Sequence, residues 1–468
     1  MQSRYEYAQE LNKWFKNHKE PIRLKYVIEQ YRGGLLPLCP HCEEVIDFEE
    51  LKRAIYKACE RCECMRVHFT KDKDGTWYQY VVDKYEKEVE FYDFSQVSME
   101  EAAKTMRKWT AVPFNHEDSY LNRIVMIKTS DGYSGLYFLV DHMIMDAQSL
   151  MCFLRDVIEL YCNAKYEGVP YPKEMASYIE QVKKDLAYEA GSKAKQRDEE
   201  FFHKLIEESE PIFNGLDGST LLDRQRERDQ NPNGRAAINV TDSVDSELDI
   251  FHLEEEPTAR LMRFCEERHV SLTCLLLMGI RTYFQKKNGN DDVSVNTAIA
   301  RRATLMEKKS GGTRIHSFPF RTIISEDKTF MEGICHIRDM QNEMFRHANY
   351  DPVAYFAYRS KTYETPRGAT YEPMSLTYQP MSLKEKGLDK LGDIKYKTVW
   401  YPNGATTQGM YLTVMHRPDD NGLDFNFEHQ IKAVSREELE HFYYYLCRIM
   451  FKGIENPDLT IGEIIKLV

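Results

Sequence analysis

Long apolar runs are missing from this sequence. No stretch reaches the about 18 consecutive apolar residues that a membrane helix needs. The opening MQSRYEYAQELNKWFKNHKE has no apolar core of signal-peptide length, so the expectation is a cytoplasmic protein with no membrane partner. Positive charge is in deficit: 63 Lys and Arg stand against 75 Asp and Glu, a formal net charge of -12. Such a surface repels phosphate backbones and anionic lipid, which argues against general nucleic-acid binding and against a peripheral membrane enzyme. No Gly-rich loop has P-loop or dinucleotide spacing, so no kinase-like or nicotinamide-binding segment is expected. No short-period repeat is found either. The 11 cysteines are odd in number and scattered, which reads as thiols in a reducing compartment, not as a disulfide framework.

What is present suits a folded protein. Hydrophobic residues make up 42% and charged residues 29%, the balance of a globular chain. The 30 Tyr and 23 Phe are enough for a large aromatic core or an aromatic-lined cavity. At 468 residues the chain outgrows one ordinary core, which predicts two domains or two lobes. In the first half, spacing predicts helices over 4–17, 48–62 and 98–109 and along AQSLMCFLRDVIELYCNA. Strands are predicted over 24–33, 65–70 and 76–82 and along NRIVMIKT and GLYFLVDH, with GGLLPLCPHC as a Gly/Pro-rich loop. The polar, helical stretch 175–210 reads as a bridge, and 211–240, rich in Asn, Asp, Gly and Arg, as loop. In the second half, helices are predicted over 258–269 and 271–287 and near 329–347 and 351–361. Strands are predicted along DVSVNTAIA and IHSFPFRTII and near 374–379, 395–401, 408–416 and 423–429, before a closing helix, SREELEHFYYYLCRIM. Helices and strands alternate in both halves, so the expected class is α/β with mixed sheets.

The stretch richest in chemistry is GLYFLVDHMIMDAQSL (135–150). An apolar strand runs into His142; Asp146 follows four residues later, then Ala147 and a long helix. An imidazole titrates near neutrality, which suits a general base acting on an amine or hydroxyl, and a nearby carboxylate can fix the local backbone or a partner Arg. On spacing alone, H-x3-D is also what a core histidine satisfied by backbone looks like. A metal site on Asp141, His142 and Asp146 has no further ligand suggested by spacing. A second cluster, Cys39-Pro-His-Cys42 followed by Cys59-x-x-Cys62 and Cys64, has zinc-ribbon spacing. Three readings stay open for Cys39, Cys42, Cys59 and Cys62: structural zinc, a redox pair, and thiols buried by packing.

VDHMIMDA resembles the H-H-x-x-x-D-G signature of nonribosomal peptide synthetase condensation domains, and of stand-alone acyltransferases built on the chloramphenicol acetyltransferase fold. Other stretches resemble the family in the right order: DFEELKRAIYKACERCECMRVHF, PFNHEDSYLNRIVMI, RDEEFFHKLI, NTAIARRATLME, GGTRIHSFPFRTII and GLDFNFEHQIKAVSREELEHF. The resemblance covers nearly the whole chain. It implies two chloramphenicol-acetyltransferase-like lobes in a V-shaped pseudo-dimer, with mixed sheets and flanking helices. The N-terminal lobe would span 1–175 and carry the DHxxxDA motif, a helical bridge and loop would span 176–240, and the C-terminal lobe 241–468. The active site would be a tunnel where the lobes meet.

The resemblance also implies roles. His142 matches the catalytic His and would activate the acceptor nucleophile. Asp146 matches the motif Asp, a structural residue that pairs with an Arg of the other lobe; Arg302 is the first candidate partner and Arg301 the second. Three positions depart from the pattern: Asp141 stands for the first His, Ala147 for the Gly, and His316 for an Asn of the second lobe. His316, Tyr378 and Gln379 are candidates for the tunnel wall. The implied reaction moves an acyl group from a thioester, as acyl-CoA or on the phosphopantetheine of an acyl or peptidyl carrier protein acting in trans. The acceptor would be a small-molecule amine or alcohol, and no metal or tightly bound cofactor is needed. Asp141 and Ala147 keep a second reading open, a catalytically inactive module that docks a carrier protein or a partner enzyme.

Overall fold

The computed structural model describes residues 22–23, 31–39, 46–380, 395–396, 399–417 and 420–468. The helix expected over 4–17, most of the strand expected over 24–33, and Cys42 lie outside these residues. The described residues form an α/β protein with two six-stranded sheets and a smaller three-stranded one. The first large sheet runs in the order Lys395–Tyr396, Tyr31–Cys39, Ser134–Asp141, Asn122–Thr129, Glu90–Phe94, with Val399–Tyr401 also paired to Tyr31–Cys39. The second runs His316–Ile323, Asp292–Ile299, Ser375–Gln379, Met410–His416, Leu423–Gln430, Ser246–Leu253. Both mix antiparallel and parallel pairs; Glu90–Phe94 lies parallel to Asn122–Thr129, and Ser375–Gln379 lies parallel to both of its neighbours.

The strand that leads to His142 is buried along its whole length because it is central and covered on both faces. Side chains alternate across a strand, and the core divides accordingly. Leu136, Phe138 and Val140 pack with Leu51 and Ile55 of helix Phe48–Arg61 and with Phe153 and Val157 of helix Ala147–Lys165. Tyr137 and Leu139 point the other way, toward Ala102 and Met106 of helix Met99–Thr110 and toward Tyr401. Tyr401 comes from the far end of the sequence, so the first sheet is completed by a late segment of the chain.

The second sheet packs on helix Leu272–Asn288, of which Leu272 and residues 274–285 are all buried. Close contact with helix Arg436–Glu455 depends on Gly279: a Cβ there would stand 2.7 Å from Leu446 and 2.8 Å from Met450. The stretch 175–210 holds two helices, Tyr178–Glu189 and Lys193–Glu208, interrupted at Gly191 (φ +105°), with Ser192 capping the second.

Three sequence expectations are corrected. The stretch read as a Gly/Pro-rich loop is largely the strand Tyr31–Cys39. It pairs with Ser134–Asp141 on one side and, on the other, through Leu38 and Cys39 with Lys395–Tyr396 and through Gly33–Leu35 with Val399–Tyr401. The stretch 211–240 contains the helix Thr220–Arg228, whose polar composition hides it; Leu222 is buried beside Phe213 and Ala237. Two strands were not expected, Glu90–Phe94 and Ser246–Leu253. Each is the outermost strand of its sheet. Edge strands carry charge and expose side chains, so the apolar run that marks a central strand is broken in them.

Candidate active site

The central strand ends at Asp141, and the chain turns through His142, Met143 and Ile144, closed by the Ile144 N–H donating to the Asp141 carbonyl at 3.1 Å. Asp146 then caps helix Ala147–Lys165, its Oδ1 accepting from the Ser149 N–H at 2.9 Å. His142 is held in this short connection between strand and helix and is buried. Ala147 is the first residue of the helix, where ordinary helical backbone makes a glycine unnecessary.

Residues from the second half fold against this turn. Arg302 follows the strand Asp292–Ile299 and places Nη2 2.8 Å from Oδ1 and 2.9 Å from Oδ2 of Asp146. The Arg314 N–H donates to Oδ2 at 2.9 Å, and the Ser149 hydroxyl donates to Oδ1 at 2.9 Å. Burial pushes the Asp146 carboxyl upward, but the Arg302 charge and the N–H groups of Ser149 and Arg314 outweigh it and hold the group below its ordinary range. Arg302 also donates to the carbonyls of Ser310 (2.9 Å) and Gly312 (3.0 Å), which ties it to its own loop. Arg301 takes a different partner, with Nη2 3.5 Å from Asp185 and Nε donating to the Arg314 carbonyl at 2.7 Å.

The loop 310–314 touches the His142 turn at three points. The Thr313 hydroxyl donates to the His142 carbonyl. Gly312 forms a parallel bridge with Met145, and its carbonyl lies against the Ser149 hydroxyl. Gly312 has φ +90°, and a Cβ there would stand 2.3 Å from the Tyr178 ring, so backbone geometry and space both demand glycine.

Asp141 is completely buried. Its Oδ1 accepts from the Met143 N–H at 2.8 Å and its Oδ2 lies 2.8 Å from His116 Nε2. The sequence reading did not single out His116, nor Ser149, Gly312 or Thr313, although His116 and the last two fall within the quoted stretches PFNHEDSYLNRIVMI and GGTRIHSFPFRTII. The one available signal was Asp141 itself: a buried carboxylate requires donors.

Of the remaining candidates, His316 and Tyr378 bond to groups outside the turn. His316 is buried at the start of its strand, with Nδ1 2.9 Å from the Ala348 carbonyl and its ring against Phe318. The Tyr378 hydroxyl lies 2.8 Å from His416 Nε2, and burial pushes it up to about 12. Gln379 is buried at the end of the same strand. Of the cysteine set, Cys39 ends the strand Tyr31–Cys39, and Cys59 and Cys62 are buried at the end of helix Phe48–Arg61. Cys62 Sγ lies 3.2 Å from Cys64 Sγ, and this contact, together with burial, pushes the Cys62 thiol up. Among the described residues, the one group of three drawn together as metal ligands would be is Glu247, Asp249 and His429. There the Asp249 carboxylate is already taken, by Arg436 at 2.5 Å and His429 at 2.9 Å. No helix of the described residues is long and apolar enough to cross a membrane.

Comparison with known proteins agrees with this layout. The Condensation domain family model matches residues 30–467. Surfactin synthase subunit 1 of Bacillus subtilis (strain 168) is 22% identical over 428 residues, covering 90% of this chain and 11% of its own length. Bacitracin synthase 3 of Bacillus licheniformis is 22% identical over 453 residues, covering 94% of this chain and 6% of its own length. The chain therefore spans a small part of the curated relatives it matches. Among solved structures, the first condensation domain of the calcium-dependent antibiotic synthetase, in complex with a substrate analogue, superposes with a TM-score of 0.73 at 17% identity, over 92% of this chain and 93% of that one. The starter condensation domain of rhizomide synthetase, a mutant in complex with C8-CoA, gives 0.72 at 16% identity, over 92% and 90%.

Proposed function

We propose that this chain, which belongs to the condensation-domain family, transfers an acyl group from a thioester to an amine, with His142 as the group that activates the acceptor. The observation that carries the reading is the support around the His142 turn: a buried Asp146–Arg302 pair on one side and the Thr313 hydroxyl on the His142 carbonyl. A turn fixed from both halves of the chain holds in place the backbone that carries the imidazole, and positioning is part of what a general base requires.

In the proposed step the acceptor nitrogen attacks the thioester carbonyl carbon while its proton passes to His142. The tetrahedral intermediate collapses by breaking the C–S bond, and the departing sulfur takes the proton back from the imidazolium. An amide and a free thiol result. A hydroxyl acceptor gives an ester by the same path. The donor is phosphopantetheine-linked, either acyl-CoA or an acyl or peptidyl carrier protein acting in trans. The starter domain solved with C8-CoA supports keeping CoA esters among the donors. Asp146, Arg302 and Asp141 shape the turn and do not touch the reacting atoms. No metal takes part in this scheme.

The experiment is intact-mass detection of product from purified protein offered acyl-CoA esters, acylated carrier proteins and a panel of amines, beside His142→Ala. Turnover by the wild type and its loss in a folded His142→Ala variant are expected. Equal turnover in both would remove His142 from the mechanism, and a folded wild type inert toward the whole panel would favour a docking module.

A further inference from the structure

We propose that His116 is a positioning residue that supplies, from a separate loop, the support that an imidazole at position 141 would give to the His142 turn. The inference rests on the reading of His142 as the acceptor-activating group. Position 141 carries a carboxylate where the resembling motif carries a histidine, and this carboxylate is completely buried. A buried carboxylate without donors is strongly unfavourable. Here one oxygen accepts from the Met143 N–H, the residue just after His142, and the other lies 2.8 Å from His116 Nε2. The Asp141 main chain is engaged as well, its N–H donating to the Leu121 carbonyl at 2.9 Å and its carbonyl accepting from Ile144 at 3.1 Å. Residue 141 thus grips the turn on both sides of His142, and His116 sets the direction of that grip.

His116 is itself delivered by a built loop. The Asp118 N–H donates to the Phe69 carbonyl at 2.7 Å, and Phe69 and Glu117 form a parallel bridge, which anchors the loop to the strand Val67–Lys71. The Asn115 side chain bonds the Glu117 carbonyl at 3.0 Å and the Glu117 N–H at 3.3 Å. Loop, imidazole, carboxylate and Met143 N–H form a continuous chain of contacts that ends at the peptide following His142. His116 acts through Asp141 and is not placed on the substrate.

The test compares His116→Gln, which keeps an N–H donor at similar reach, with His116→Met, which has similar volume and no donor. Hydrogen exchange of the peptide spanning residues 141–146 is measured in the intact chain without substrate, and turnover of octanoyl-CoA with glycine methyl ester is measured beside it. The Met variant is expected to exchange about tenfold faster in this peptide, with strand Leu423–Gln430 unchanged, and the Gln variant to stay near wild type. The Met variant should lose kcat about tenfold with KM within about twofold, and the Gln variant should recover most of it. Equal exchange in the two variants overturns the proposal, and so does faster exchange in the Met variant with kcat intact. A His142→Ala variant that still turns over these substrates refutes the acyl-transfer role of His142 instead, and the exchange comparison then decides the structural link by itself.

Discussion

Arg302 Nη2 donates to both carboxylate oxygens of Asp146, at 2.8 and 2.9 Å, across 156 residues of sequence and with both side chains buried. The pair joins the helix that follows His142 to the loop that follows the strand Asp292–Ile299. A buried pair of this kind is not evidence of net stabilisation, since withdrawing two charges from water is costly. Its consequence is that neither partner can be removed alone.

Removing one partner should therefore cost more than removing both. Asp146→Asn or Arg302→Met is expected to destabilise the chain by ~3–5 kcal/mol, because the remaining charge stays buried without its counterpart. The double variant should recover part of that loss. Urea unfolding of the three variants checks this, and losses that simply add would show that the two residues act independently.

The same carboxyl gives a pH dependence of known sign. Asp146 is held below its ordinary range in the folded chain, so the unfolded chain binds its proton more readily. Its contribution is complete above the unfolded carboxylate value of about 4 and is lost as pH falls below that through the folded value. The stability gap between wild type and Asp146→Asn should stay constant from neutral pH down to about 4 and narrow below it. Chemical denaturation across that range measures the gap, and a gap that widens in acid would contradict the assignment.

Gly312 joins fold and site in one residue. Its φ of +90° and the 2.3 Å approach of an added Cβ to the Tyr178 ring mean that Gly312→Ala must shift the loop carrying Thr313. A strained backbone of this type costs about 1–3 kcal/mol, and the overlap with Tyr178 adds to it. The variant is expected to melt at lower temperature and to lose kcat, since the Thr313 bond to the His142 carbonyl moves with the loop. Differential scanning calorimetry beside the turnover assay tests both; a variant with wild-type melting and turnover would show that the loop has slack.

Much of this architecture was legible in the residues. The apolar run GLYFLVDH, ending in His142 and followed by an Asp and a long apolar stretch, defined a buried central strand that leads through a short connection into a helix. The local signals were complete there: an unbroken apolar run on a strand covered on both faces, a side-chain acceptor at a helix start, and 3.6-residue spacing after it. Where the signals were weak, the reading failed in an intelligible way. Glu90–Phe94 and Ser246–Leu253 are edge strands, whose exposed positions interrupt the apolar run. Tyr31–Cys39 carries Gly33, Gly34 and Pro37, residues that signal a loop locally and become a strand only because partners on two sides supply the pairing.

By itself, then, the sequence determined the α/β class, the strand–turn–helix element that presents His142, and the need of Asp146 and Asp141 for partners. The family resemblance offered Arg302 before Arg301 for Asp146; the tertiary structure chose between them and supplied the remaining partners. Asp141 meets His116 and Asp146 meets Arg302, Ser149 and Arg314 because the halves and loops pack together, and ion pairs and hydrogen bonds of this kind acquire their strength from burial. Burial belongs to the assembled chain and to no single stretch of residues, so local spacing could state the demand while the His116 answer to Asp141 waited for the fold.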